Sequence, residues 1–564
     1  MKVKYISQAP ETVPGQLLLL PVLEGALSSK SNSKSALHNL DAQLGGLLLR
    51  QARHEKFEGK AGQIMLTFCD EKIAASQILL VGVGKRDKLN EEALREAITP
   101  ALRKAKELRV NDLVIHLDEL FESMDLSPER LAEVVTVCTG SINYVLNHSK
   151  TVLAGHKAEK QFSTLTVTGA KDKQSQASSG LNNGMAIVQA LNHCRNLVNL
   201  PAEELYPLVL AKWAKGVADG SKNAIKVKLV NKDKLKEMGA GAVLAVAQGS
   251  RHEPVLIDMQ YTGDKRANAP VIGFIGKAVT FDSGGVNLKT ADGMETMKRD
   301  MAGGATVIEA LRAIADLKLP VNVRVIVAAA ENMPSGSAYK PGDVLHSLLG
   351  LTIEVKNTDA EGRLTLADAI GYLRRSEKNL SCLIDLATLT GAIRQFGADI
   401  GAGAFSNNKE FMDNVLQASV RSGELMGELP MWKQIRAFNK SDIADLSNSG
   451  MGGAGATSAA WFLREFVMVS ANGSDSKEGS NAGKEKAGDG KELPWVHLDI
   501  AGPSYRNKEM GIDPKHATAF GLRTLVELAR ILSSSGSNKG SSRKNSSESK
   551  AEDKRKSPKA KRAK

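Results

Sequence analysis

Only four cysteines occur among 564 residues, and Cys69, Cys138, Cys194 and Cys382 show no paired spacing. That excludes a disulfide framework and a zinc knuckle, and it fits buried, reduced thiols in a cytoplasmic protein. Long apolar runs are missing as well. Leu17-Leu18-Leu19-Leu20 stops at Pro21, far short of the ~20 residues needed to cross a bilayer, so no transmembrane helix is expected. Met1 to Gln8 carries Lys2 and Lys4 with no apolar stretch behind them, so a secretory leader is not expected either. The histidines form no zincin pair, because His54-Glu55 and His252-Glu253 each lack the second histidine.

Charge is present, but unevenly. From Ser533 to Lys564 there are 11 Lys and Arg against 3 Asp and Glu, a net +8 of the whole chain's +12. The body is therefore only mildly basic, and 533–564 reads as a disordered basic tail. A second polar stretch, 470–492, is rich in Gly, Ser, Lys and Glu and reads as a solvated insert. At this length one hydrophobic core is too few, and two domains are expected.

Residues 1–175 alternate strand and helix patterns. Gln77 to Val81, Leu113 to Leu117 and Thr164 to Thr168 read as strands, while Asn90 and Ser127-Pro128-Glu129 open helices. Lys171 to Gly180 is polar and flexible in composition, and the domain boundary is placed there. In 181–532, apolar runs at Val255 to Met259, Val271 to Ile275, Val323 to Ala329, Leu351 to Val355 and Leu383 to Leu386 predict a central, mostly parallel sheet. Open α/β sheets place ligands outside the carboxyl ends of such strands, where most of the chemically loaded residues fall.

Gly276-Lys277-Ala278-Val279-Thr280-Phe281-Asp282-Ser283-Gly284-Gly285 and Asn357-Thr358-Asp359-Ala360-Glu361-Gly362-Arg363-Leu364 are the two richest segments. With Lys289 and Asp300 they make a carboxylate-rich, histidine-free set, the chemistry of a site for two divalent metals. An isolated Asp-x-Glu is ordinarily solvated surface, and an isolated lysine after a strand is ordinarily a surface charge; here the context reverses both. Gly450-Met451-Gly452-Gly453-Ala454-Gly455 fits a dinucleotide fingerprint only formally, since no strand precedes it. His497 reads as a hydrogen-bonded core residue.

The octapeptide from Asn357 to Leu364 resembles the signature of the leucyl aminopeptidase (cytosol aminopeptidase) family. So do Asp300-Met301-Ala302-Gly303-Gly304-Ala305, Ala387-Thr388-Leu389-Thr390-Gly391-Ala392 and Trp495-Val496-His497-Leu498-Asp499-Ile500-Ala501-Gly502. Ala278, where many members carry glycine, and Gly304, where alanine is frequent, are departures. The resemblance implies an N-terminal macro-like α/β domain and a larger catalytic domain. It implies a metallo-aminopeptidase that releases N-terminal leucine and similar apolar residues by attack of a metal-bridging hydroxide. Lys277, Asp282, Asp300, Asp359 and Glu361 would hold two ions, Zn2+ and/or Mn2+; Lys277 would have to be deprotonated, with adjacent dications pushing its pKa down. Lys289 would stabilise the scissile oxygen, Arg363 would hold a bicarbonate that serves as general base, and Met297 and Gly391 would line the substrate pocket. A homohexamer is implied. The rival expectation is a nucleic-acid-associated role through the basic tail, which would also suit nuclear or other organellar targeting.

Overall fold

The computed structural model describes residues 1–27, 35–146, 161–450, 452–469 and 492–534. Almost all of the 470–492 insert and of the 533–564 tail lies outside these, as does Met451 of the glycine-rich decoy.

The first sheet is built from β1 (Lys2–Ile6), β2 (Leu17–Leu23), β3 (Ile64–Phe68), β4 (Gln77–Gly84), β5 (Asp112–His116) and β6 (Thr164–Thr168). Its order is β1-β6-β5-β2-β4-β3, parallel except for the β3–β4 pair. Every residue of β2 is buried, as in a strand covered on both faces. Pro21 is tolerated inside it because the β5 pairing ends at Leu19, so no partner on that side needs its missing N–H. The helices Glu91–Glu107 and Pro128–Ile142 begin as expected: Asn90 and Ser127 accept hydrogen bonds from Ala93 and Arg130 N–H.

The larger unit follows in chain order with β7 (Ile225–Val230), β8 (Val255–Thr262), β9 (Val271–Gly276), β10 (Ala278–Asp282) and β11 (Asn322–Asn332). Then come β12 (Val344–His346), β13 (Thr352–Glu354), β14 (Leu380–Ala387), β15 (Ala402–Ser406), β16 (Met426–Glu428), β17 (Leu446–Ser447) and β18 (Trp495–Asp499). The main sheet runs β16-β15-β18-β14-β9-β11-β8-β7, with β10 paired to β11 beyond β9. Its centre is parallel, and antiparallel pairs join β15 to β18, β11 to β8 and β8 to β7. The helix Ala302–Asp316 packs on one face with Ile272 and Phe274, and the helix Gly362–Ser376 on the other with Ile275 and Ile326.

Two sequence expectations are corrected. Leu351 to Val355 is not a strand of the main sheet: β13 pairs with β12 and β17 in a separate three-stranded sheet. Within β13 only Ile353 is buried, which is too little apolar surface for a place between two helical layers. The stretch from Lys171 to Gly180 is not a flexible connection, because the helix Gln174–Asn199 begins within it. Ala177, Gly180 and Leu181 are buried, and a Cβ on Gly180 would sit 2.0 Å from the Glu129 carbonyl oxygen. Close packing against the Pro128–Ile142 helix overrides the polar composition.

Candidate active site

β9 and β10 form one line of chain broken at Lys277. β9 pairs with both β11 and β14, while β10 continues along β11 alone, so Lys277 sits where the line parts from β14. Its side chain is only 3% exposed, and its Nζ lies 2.7 Å from Asp300 Oδ2 and 2.8 Å from Glu361 Oε1. It also donates to the Thr388 carbonyl at 3.0 Å. Gly362 lets it through: a Cβ there would meet Lys277 Cε at 2.4 Å. Gly362 itself opens the first helical turn of Gly362–Ser376.

Asp282 ends β10. Its Oδ1 accepts from Asn332 Nδ2 at 2.8 Å and from Gly284 N–H at 2.9 Å, while Oδ2 faces Lys289 Nζ at 2.8 Å. Lys289 also pairs with Asp359. Gly284 and Gly285, at φ +87° and +67°, turn the chain back between them, a conformation that suits residues without a Cβ. Asp300 follows the short helix Met297–Arg299, and its Oδ1 accepts from the Thr388 hydroxyl at 2.7 Å. Glu361 immediately precedes the Gly362–Ser376 helix and is buried. Oxygens of Asp282, Asp359 and Glu361 all lie within 4.8 Å of one another.

The five expected ligand residues and Lys289 therefore come together. In the chain, Met297 opens the turn just before Asp300, and Gly391 lies exposed three residues past Thr388. Arg363, on the first turn of the same helix as Gly362, is 8% exposed and its Nε has no hydrogen-bond partner. Burial pushes its pKa down to about 10, against the stabilising charges of Glu361 and Asp499.

Four carboxylates against two ammonium groups leave the cradle short of positive charge. Burial, and then neighbouring carboxylates such as Asp282, push Glu361 and Asp359 up. Burial opposes the charge of Lys277, yet Asp300, Glu361 and Asp282 outweigh it and hold the ammonium well above its ordinary range. This is the reverse of the expected downward push, which requires dications in place of those attractions. The donor set fits divalent cations: hard carboxylate oxygens in surplus, with one buried amine among them.

Sequence reasoning missed the residues that lace the loops together. Asn332, fully buried at the end of β11, also donates to the Thr358 carbonyl at 3.0 Å. The Thr358 hydroxyl donates to Gly284 O at 2.6 Å and accepts from Asn287 N–H at 2.9 Å, and Tyr339 Oη donates to Thr358 O at 2.8 Å. The one available sign was the position of Asn332, a polar residue closing a long apolar strand.

Fold and site together define a two-domain α/β protein with an oxygen-rich cradle for divalent cations at its strand ends. Models of the cytosol aminopeptidase family match it twice, the catalytic domain over residues 192–526 and the N-terminal domain over 19–151, and the chain belongs to that family. It is similar to a probable cytosol aminopeptidase of Roseiflexus castenholzii, 38% identical, over 84% of this chain and 91% of that one. A second, from Alkaliphilus metalliredigens, is 33% identical over 94% and 99%. Among solved structures, a tomato leucine aminopeptidase mutant superposes with TM-score 0.77 at 30% identity, covering 94% of this chain and 96% of that one. The bottromycin maturation enzyme BotP in complex with Mn gives 0.75 at 27% identity, covering 92% and 100%. The protein is thus a metal-dependent aminopeptidase, a hydrolase of peptides.

Proposed function

We propose that the chain removes N-terminal leucine and similar apolar residues from peptides, using two divalent cations, Zn2+ and/or Mn2+, held by Lys277, Asp282, Asp300, Asp359 and Glu361. The observation that carries this is the convergence of those five groups on one buried, carboxylate-rich cradle. When bound, the cations activate water and polarise the peptide carbonyl. Lys289, on the rim and 17% exposed, supplies an ammonium that donates to the carbonyl oxygen as negative charge develops there. Arg363 supplies a buried guanidinium with an unused donor, suited to a small anion; a bicarbonate held there would serve as general base, since no protein side chain takes that role in this reading. Met297 and the chain around Gly391 line the side-chain pocket, where a flexible thioether suits leucine-sized groups. Self-association, with a hexamer as the reading, is supported by exposed Phe396, Ile400 and Leu425 along an open groove of about 460 Å3.

The test compares leucine amide with N-acetyl-leucine amide, each with chelator and after Mn2+ is restored. Hydrolysis of the free amine alone, lost with chelator and regained with Mn2+, is expected, because acetylation removes the lone pair that a cation in the cradle would bind. Equal rates on the two amides would overturn the exopeptidase reading.

A further inference from the structure

The loop that closes the Lys277 end of the cradle is held from below by a carboxylate with no assigned role. β14 and β18 end in register, with Ala387 beside Asp499. The chain leaving β14 folds over that carboxylate, which is fully buried. Asp499 Oδ1 accepts from Leu389 N–H at 3.1 Å and from Ala501 N–H at 3.2 Å, and Oδ2 accepts from the Thr390 hydroxyl at 2.6 Å. Thr390 Oγ1 in turn accepts from Ile393 N–H at 3.2 Å. Two residues before Thr390, Thr388 turns its hydroxyl and carbonyl to the cradle: the hydroxyl donates to Asp300 and the carbonyl accepts from Lys277.

Asp499 itself stands on a fixed base. Two residues back on the same face, His497 Nδ1 lies 2.6 Å from Asp385 Oδ1, and Trp495 Nε1 donates to Asp385 Oδ2 at 2.7 Å. All three are fully buried, and the His497 ring stacks between Phe405 and Trp495. Burial raises the pKa of Asp499, and the charge of His497 with the hydrogen bonds from Thr390, Ala501 and Leu389 opposes that rise. A carboxylate with two lone-pair-bearing oxygens is what two successive donors, Leu389 N–H and Thr390 O–H, require.

We propose that Asp499 is a positioning residue: by fixing Leu389 and Thr390 it sets Thr388, and through Thr388 the Lys277–Asp300 end of the cation site. This rests on reading the cradle as a site for divalent cations. Supporting residues of this kind typically change metal affinity or activity by about 10–100-fold when lost.

The test uses the full chain stripped of metal. Mn2+ is titrated calorimetrically into wild type, Thr390→Val, Thr390→Ser, Thr388→Val and the Thr388→Val/Thr390→Val double variant, and kcat and KM for leucine amide are measured on the loaded proteins. Thr390→Val, nearly isosteric, should weaken one of two Mn2+ sites by about 10-fold or more and lower kcat with KM little changed. Thr390→Ser should restore both, and the double variant should cost no more than the worse single, because both hydroxyls act along one path. Unaltered Mn2+ isotherms in Thr390→Val, no recovery in Thr390→Ser, or strictly additive losses would each overturn the proposal. A wild type that binds Mn2+ but leaves leucine amide intact counts against the proposed function instead, and the isotherms still decide the role of Asp499.

Discussion

Lys277 and Lys289 share a side chain but not a setting. Lys277 is wedged at 3% exposure between Asp300 and Glu361, whereas Lys289 stands on the rim at 17% beside Asp282 and Asp359. Only the second has room to meet a substrate oxygen. Lys289→Ala should therefore lower kcat roughly 10²-fold or more while metal content stays unchanged, as expected when a donor to the developing oxyanion is removed. Kinetics paired with metal analysis check this; a fall in metal content would make Lys289 a ligand and the assigned role wrong. At this scale the sequence was legible where a residue's type is its chemistry, as with the carboxylates of Asp282, Asp359 and Glu361. It was silent on Asn332, and on the contact Thr388 makes within its motif, since the importance of such polar residues comes from which oxygen they face.

The helix Ala302–Asp316 shows why elements need each other's details. It approaches the main sheet so closely that a Cβ on Gly303 would lie 2.1 Å from the Leu386 carbonyl oxygen, and one on Gly276 would lie 2.5 Å from that of Gly303. Ala278 and Gly304, the two departures from the family pattern, prove to be one contact: a Cβ on Gly304 would meet the Ala278 Cβ at 2.8 Å. The methyl is carried by the strand here and cannot also be carried by the helix. Gly304→Ala adds a clash to a packed core, with a cost of about 1–3 kcal/mol set against a helix-propensity gain of about 1 kcal/mol. The sharper expectation is the coupling. Adding Ala278→Gly should recover at least about 1 kcal/mol in Gly304→Ala, and urea unfolding of the four proteins measures it. Additive effects would show that the two positions do not share a space. β13 teaches the same lesson in reverse, since a short apolar run does not say which sheet will take it.

Across the whole molecule, charges tie the N-terminal helices to the C-terminal one. Arg130, on the Pro128–Ile142 helix with Glu133, pairs with Glu91, Glu133 and Glu527; Arg530, on the helix over 522–534 with Glu527, pairs with Glu133 and Glu527. Burial raises the pKa of Glu527, but Arg130 and Arg530 overcome it and hold the carboxyl below its usual value. Because its folded pKa is depressed, its contribution is complete above the ordinary glutamate value of about 4.3 and disappears as pH falls through the folded pKa. Glu527→Gln should cost about 2 kcal/mol at pH 7, less than the roughly 3–5 kcal/mol of a fully buried broken pair, since Glu133 remains with both arginines. Thermal unfolding of both proteins from pH 7 to pH 3 should show the gap closing in acid. A gap that persists at pH 3 would mean the loss came from packing and not from charge.

The sequence by itself determined the chemistry and its neighbourhood: which carboxylates and lysines follow apolar strands, the α/β class, and the family resemblance carried by the octapeptide. Those properties are local, written in residue type and in spacings of a few residues. Only the tertiary structure decided that Lys277 passes over Gly362 to reach Glu361, that Asn332 orients Asp282, and that Asp499 holds the loop bearing Thr388. Each of these joins residues from different strands or loops. Periodicity says that a strand is buried, but the neighbour that its end will face is set by sheet order and register, which the whole chain must fold to fix.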